Sequence, residues 1–391
     1  MSGTVPFNRP DVSGHEFRYM RQAVANGHLS GDGPWTKRCQ TFLEQQLGAP
    51  KVLLVTSATH ALEMAGLLIK LQPGDDVIVP SFTFVSTANA FALHGARPVF
   101  ADIRPDTLNL DETQLERRLT PRTKAIVAVH YAGVGCNMDA ILAIAQRRGI
   151  AVIEDNAHGL FGRYRGTPLG RFGCLSAQSF HETKNVICGE GGALVINDPH
   201  YLERAEIIRE KGTDRSRFFR GEVEQYTWVD AGSSYVLSDV LAAFLYAQLE
   251  RAEQIQIRRR WVWEMYARSL SEWATTHGVQ LPHVPPHCEQ PYHLFYLLMP
   301  SPEERTALLK HLAAQGIQGI FHYAPLHLSA AGMRFGGRRG DCPVAERVGE
   351  CLLRLPFYNG LTHDDQMKVI RAVMAFTGWR RAMVSAQTPL S

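Results

Sequence analysis

Cysteine is sparse and unpatterned: seven residues in 391 (Cys39, Cys136, Cys174, Cys188, Cys288, Cys342 and Cys351), with no C-x-x-C spacing. An odd, scattered set excludes a disulfide framework and reads as reduced, packed thiols; no metal site is expected. The chain lacks any run of about 18 apolar residues, and Met1-Ser2-Gly3-Thr4-Val5 has no basic segment leading into an apolar one. A cytoplasmic protein with no membrane partner is therefore expected. Basic runs interleaved with aromatics are absent except at Arg258-Arg259-Arg260-Trp261, which sits in a helical pattern and reads as a solvated helix face. With a net charge of only +3, nucleic acid is not an expected partner. Lysine is scarce as well, eight residues against 33 arginines, so a chemistry that needs a lysine has few places to put it.

Hydrophobic residues at 45% and charged residues at 20% are those of an ordinary soluble globular protein. The length exceeds the roughly 100–200 residues of one domain. From Val52 to about Ile196, short β-rich runs (Val52–Val55, Val77–Pro80, Val99–Asp102, Ala125–His130, Val152–Asp155) alternate with helical patterns, the first showing an apolar face of Ala61, Leu62, Ala65, Leu68 and Ile69. This βαβ rhythm predicts an α/β fold with a mostly parallel sheet. Beyond Asp155, glycine-marked turns and two strands, Cys174–Phe180 and Ala193–Ile196, predict hairpin-like chain near a site. One long helical run over Leu237–Leu270 precedes strands at Leu294–Leu298 and Ile317–Phe321 and a helix at Pro302–Ala314. The expected division is a large domain over residues 1–250 and a smaller C-terminal α/β domain over 251–391, with a frayed tail from about Trp379.

Pyridoxal chemistry requires a lysine for the imine, an acid for the pyridine nitrogen, a phosphate cradle and a flat group against the ring. Each has a candidate. Lys184 follows a core-like strand in Ser179-Phe180-His181-Glu182-Thr183-Lys184-Asn185 and precedes Gly189-Glu190-Gly191-Gly192. Desolvation there would free its amine, although a lone loop lysine is more often at the surface. Asp155 ends an apolar strand, where open α/β sheets place ligands, and could hold the ring nitrogen; it could equally cap a helix or bind a metal. His158, three residues on, could reach the phenolic oxygen or be a structural histidine. The turn Thr56-Ser57-Ala58-Thr59 joins a strand to a helix and could offer backbone N–H groups to a phosphate, or simply cap the helix. Ser179 could add a hydroxyl. Phe84 could stack on the ring or belong to the core.

These motifs, with Pro80-Ser-Phe-Thr-Phe-Val-Ser-Thr-Ala-Asn-Ala90 and Arg209-Glu-Lys-Gly-Thr213, resemble the DegT/DnrJ/StrS family of sugar aminotransferases over about residues 5 to 375, most closely its dTDP-4-amino-4,6-dideoxygalactose transaminases. The resemblance implies fold type I of the pyridoxal-phosphate-dependent transferases. It makes Lys184 the lysine that carries pyridoxal 5'-phosphate, Asp155 the pyridinium partner and His158 a residue beside the ring. Phe84 falls on the stacking position, and Ser57, Ala58, Thr59 and Ser179 on the phosphate turn and its supporting hydroxyl. Ser234 stands where many members have an asparagine that reaches the neighbouring subunit's phosphate, and Val236 where they have an arginine. His327 resembles a histidine near the sugar, though a loop histidine without function fits the residues as well. Arg209, Lys211, Arg215 and Arg220 suit a diphosphate, with surface ion pairing the commoner explanation. The implied enzyme moves an amino group from glutamate to the 4-keto carbon of dTDP-4-keto-6-deoxyglucose, as a homodimer with shared sites. A 3-keto or UDP-sugar aminotransferase, or a non-catalytic regulator on the same fold, are the alternatives.

Overall fold

The computed structural model describes residues 3–12 and 14–379. Its centre is a seven-stranded sheet of β1 (Lys51–Val55), β2 (Asp76–Pro80), β3 (Arg97–Ala101), β4 (Thr123–Val129), β5 (Ala151–Asp155), β6 (Leu175–Ser179) and β7 (Gly192–Ile196), in the order β1-β7-β6-β5-β4-β2-β3. Pairings among β6, β5, β4, β2 and β3 are parallel, while β7 runs antiparallel to both β6 and β1. Only β7 is therefore reversed, and the carboxyl ends of the other six strands lie along one edge, where such sheets bind ligands. Helices cover both faces: α1 (Ala58–Leu68) and α2 (Ser86–Ala92) pack into one apolar core, and α3 (Met138–Arg148) into another on the opposite face. β6 and β7 form the expected hairpin-like unit, and the loop between them carries Lys184.

The expected single helix over Leu237–Leu270 is two, α4 (Asp239–Glu250) and α5 (Ala252–His277), broken at Arg251. No glycine or proline marks the break. It arises because Leu245 and Leu249 pack into a core with Trp35 and Leu43, whereas Val262, Tyr266 and Leu270 pack into a separate one with Phe295, Leu312 and Val369. That second core lies between α5, α6 (Pro302–Ala314) and α7 (His363–Met374) and a three-stranded antiparallel sheet of β8 (Tyr296–Leu298), β9 (Ile320–Phe321) and β10 (Leu352–Arg354), ordered β8-β10-β9. The central strand β10 was not anticipated from the sequence.

The Arg258–Trp261 stretch departs from the solvated face expected. Arg259 is buried, its guanidinium donating to the carbonyls of Tyr292 and His293 and to Asn359 Oδ1, and Arg258 donates to the carbonyls of Asn359 and Leu361. All seven cysteines are free. Among the described residues no helix is long and apolar enough to cross a membrane, and no three His, Cys, Asp or Glu are grouped to hold a metal. Of the tail expected to fray, Trp379 stacks on His277 and the rest lies outside the described residues.

Candidate active site

A cavity of about 730 Å³ opens at the carboxyl edge of the large sheet. Ser57, Ala58, Thr59, Phe84, Asp155, His158, Ser179 and Lys184 all line it, so eight residues chosen from separate sequence segments meet around one space.

Lys184 sits at a tight turn in the β6–β7 loop, its N–H bonded to the His181 carbonyl at 2.9 Å. The loop ends stay paired through Phe180 N–H to Gly191 O, 2.8 Å, and Glu182 N–H to Gly189 O, 2.9 Å. The next residue, Asn185, is tied across the fold by its amide to the Pro291 carbonyl at 2.7 Å and by Oδ1 to His293 Nδ1 at 2.8 Å. Burial pushes the Lys184 amine down to about 8; Asp155 opposes this and Arg354 adds to it. A lysine held there is an available nucleophile near neutral pH.

Glu154 and Asp155 are consecutive on β5 and so point to opposite faces. Glu154 is consumed structurally: it accepts from the N–H groups of Gly170, Phe172 and Gly173 and pairs with His130 at 2.9 Å. Asp155 faces the cavity, with Thr87 Oγ1 donating to Oδ2 at 2.7 Å and Ala157 N–H to Oδ1 at 3.2 Å. It is a buried carboxylate with no ion pair to Arg, Lys or His among the described residues. A buried charge without a partner is costly, so a cationic N–H entering the cavity fits it. His158 supplies a second unmet demand: its buried Nδ1 has no hydrogen-bond partner, while Nε2 lies 3.5 Å from the Tyr323 hydroxyl. Burial holds its imidazole well below the ordinary histidine range, hence neutral and able to donate from one nitrogen.

At the other end, Ser57 caps α1, its Oγ accepting from His60 N–H at 3.1 Å. The capping alternative is thus realised, but it does not exhaust the turn. The N–H groups of Ala58 and Thr59 find no acceptor in the chain among the described residues, as the first turn of a helix requires of something outside it. Gly192 on β7 lies directly behind this turn; a Cβ there would press on the Ser57 carbonyl group and the Ala58 nitrogen. The residues present therefore fit pyridoxal phosphate: a free amine, an unpaired acid, an unpaired imidazole nitrogen and an anion-accepting helix start. Phe84, more than half exposed, forms part of the wall 6.2 Å from the Tyr323 ring.

Two expected site residues are not brought to this cavity. His327 is wholly buried with both ring nitrogens engaged, Nδ1 with Ser81 Oγ at 2.5 Å and Nε2 with Glu346 at 3.0 Å, and it does not line the cavity. Ser234 is exposed and lines a different cavity of about 1020 Å³ with Arg209, Lys211 and Arg215. The cationic stretch there is ion-paired: Arg209 with Asp32, Lys211 and Arg215 with Glu210, Arg220 with Glu206 and Glu222. Conversely, His293, His322, Tyr323 and Arg354 line the first cavity and were not foreseen. His158 stacks on His293 at 4.1 Å, and Tyr131 Oη meets His322 Nδ1 at 3.0 Å.

A lysine, a buried acid and a helix-start cradle on the carboxyl edge of this sheet define the class, a pyridoxal-phosphate-dependent transferase of α/β fold type I. The chain belongs to the DegT/DnrJ/EryC1/StrS aminotransferase family, whose pattern matches residues 10–374. It is 33% identical over 377 residues to the spore coat polysaccharide biosynthesis protein SpsC of Bacillus subtilis, covering 94% of this chain and 96% of that one. Among solved structures it is similar to the aminotransferase TlmJ of Streptoalloteichus hindustanus (TM-score 0.87, 33% identity, 95% and 98% of the two chains). It is also similar to S. venezuelae DesV in complex with a ketimine intermediate (TM-score 0.86, 30% identity, 95% and 98%).

Proposed function

We propose that the chain transfers nitrogen from glutamate to the 4-keto carbon of dTDP-4-keto-6-deoxy-D-glucose, giving a dTDP-4-amino-4,6-dideoxyhexose, with pyridoxal phosphate resident in the 730 Å³ cavity. The observation that carries this reading is the convergence of Lys184 and the unpaired Asp155 on one cavity whose far end holds the unpaired N–H groups of Ala58 and Thr59. The sugar class is supported by the resemblance of the Pro80–Ala90, Ser179–Asn185 and Arg209–Thr213 motifs to the 4-amino-4,6-dideoxygalactose transaminases, and by a polysaccharide biosynthesis protein among the relatives.

When bound, the cofactor supplies an electron sink for the carbanion left by proton removal. Asp155 holds a proton at the ring nitrogen, which keeps that sink cationic; Thr87 and Ala157 fix the carboxylate for the task. His158 hydrogen-bonds the phenolic oxygen, and Phe84 covers a ring face. Ala58 and Thr59 receive the phosphate, with the Ser57 and Ser179 hydroxyls beside it. Lys184 takes the proton from the donor's α-carbon in the first half-reaction and delivers one to C4 of the sugar in the second, a task suited to an amine titrating near 8. Ser234, out of reach of its own chain's cavity, completes the cradle of a second copy, so the working unit is a two-fold homodimer.

The test is incubation with glutamate and dTDP-4-keto-6-deoxyglucose, followed by NMR of the product. A C4 amine is expected. A 3-amino product, or turnover of UDP sugars alone, overturns the substrate; bound cofactor with no glutamate half-reaction overturns catalysis.

A further inference from the structure

Asn185, the residue after Lys184, is buried and spends both ends of its amide on one distant segment: Nδ2 donates to the Pro291 carbonyl at 2.7 Å, and Oδ1 meets His293 Nδ1 at 2.8 Å. An amide that donates from Nδ2 leaves its oxygen to accept, so Nδ1 of His293 carries the proton. Burial, with His158 and Lys184 beside it, holds this imidazole well below the ordinary histidine range and keeps it neutral. Its ring stacks on His158 at 4.1 Å, so one side chain touches both the lysine loop and the histidine beside the cofactor ring.

The segment that carries His293 is itself clamped. Tyr292 has a φ of 53°, in the left-handed region, where a bulky residue stays only if its surroundings hold it. Buried Arg259 of α5 holds it from behind: Nε donates to the Tyr292 carbonyl at 2.9 Å, a second nitrogen to the His293 carbonyl and a third to Asn359 Oδ1 at 2.9 Å, with the guanidinium 4.8 Å over the Phe357 ring. A buried cation is costly unless its donors are used, and here they fix two consecutive carbonyls of the strained turn. On the other side Pro291 lies so close to Gly133 that a Cβ there would fall 2.4 Å from the proline ring. We propose that Arg259 and His293 are positioning residues for nitrogen transfer: Arg259 sets the Tyr292–His293 turn, and His293, through Asn185, sets where the Lys184 amine stands relative to His158 and the cofactor ring. Because α5 packs against the small sheet while Lys184 hangs from the large one, this turn ties the lysine to both. The inference rests on the transamination reading for the role of Lys184.

The experiment uses the full chain, with and without pyridoxal phosphate, and the variants His293→Leu, His293→Asn, Asn185→Ala and Arg259→Lys, with folding verified by circular dichroism and urea midpoint. Misplacing a reacting group slightly is expensive, so His293→Leu and Asn185→Ala should each slow both half-reactions about 10- to 100-fold, with KM for glutamate and keto sugar held within about threefold. The double variant should lose little beyond either single one, since both break the same link. His293→Asn, whose amide can donate where Nδ1 stood, should recover most of the rate, and Arg259→Lys should fall between. In cofactor-free protein, hydrogen exchange over residues 181–185 should quicken in His293→Leu and Asn185→Ala while β5 and β6 stay protected, a local pattern that a general loss of stability does not give. Should His293→Leu fail to fold, Asn185→Ala and Arg259→Lys carry the test. Rates within twofold of wild type in the folded variants, additive losses in the double variant, or a loss confined to the KM of one half-reaction would overturn the proposal, the last making His293 a substrate contact. Quickened loop exchange in variants of a chain that transfers no nitrogen would uphold the positioning link while refuting transamination; transfer that is indifferent to His293 and Asn185 would do the reverse.

Discussion

Gly192→Ala tests the phosphate cradle without removing any group that would contact the cofactor. Gly192 opens β7, opposite Val55 at the end of β1 and Ser179 at the end of β6, so its α-carbon faces the turn that starts α1. A methyl group there would fall within 2.6 Å of the Ser57 carbonyl oxygen and press on the Ser57 carbonyl carbon and Ala58 nitrogen, all of them backbone. Restoring ordinary contact requires a displacement on the order of 1 Å, and backbone cannot rotate out of the way as a side chain can. Overpacking of this kind costs about 1–3 kcal/mol of stability. The same shift moves the Ala58 and Thr59 N–H groups off the phosphate. If two hydrogen bonds to a charged group are lost at about 1.5–3 kcal/mol each, cofactor affinity falls roughly 10²- to 10⁴-fold. The assay is fluorescence titration of cofactor-free protein with pyridoxal phosphate, alongside a urea midpoint. A folded Gly192→Ala protein that binds cofactor within threefold of wild type would refute the placement of the phosphate at this turn.

Three further outcomes are expected. In cofactor-free protein, labelling of Lys184 by an amine-directed reagent, read by peptide mapping, should rise with pH and level off above about 8, whereas an ordinary lysine keeps gaining reactivity to about 10.5; a midpoint near 10 would contradict the depressed amine. Asp155→Asn removes the charge that opposes this depression, so the labelling midpoint should move further down while transamination drops more than about tenfold, consistent with a lost pairing of roughly 1–3 pKa units; activity within twofold of wild type would remove Asp155 from the mechanism. Mixing Lys184→Ala with Ser234→Ala protein should restore activity through heterodimers that hold one intact site, and absence of rescue with subunit exchange verified by mass would exclude the shared cradle.

The sequence alone determined those features whose causes are local. Strands β1, β2 and β5 are short apolar runs bounded by turns, and α6 begins after Ser301 with Pro302 at its first position and a cap from the serine side chain to Glu304 N–H, so its bounds of Pro302–Ala314 were legible in advance. Lys184, Asp155 and the Ser57–Thr59 turn could be singled out because each sits next to the end of a recognisable strand, and parallel strands must bring their carboxyl ends to one edge. Tertiary structure decided what depends on distant partners. Which of Glu154 and Asp155 faces the cavity follows from what closes over each side of β5, since alternation separates them without saying which is which. His327 stands behind the cavity lining, with Ser81 and Glu346 closing on both its nitrogens. Helices α4 and α5 part at Arg251 because two cores claim their apolar faces. Arg354 reached the cavity on a three-residue strand too short to show any period, from 170 residues beyond Lys184. Its chemistry as an isolated arginine is that of any surface cation; its half-buried place beside Phe7, with Nε left without a partner among the described residues, exists only once the small sheet is packed against the large one.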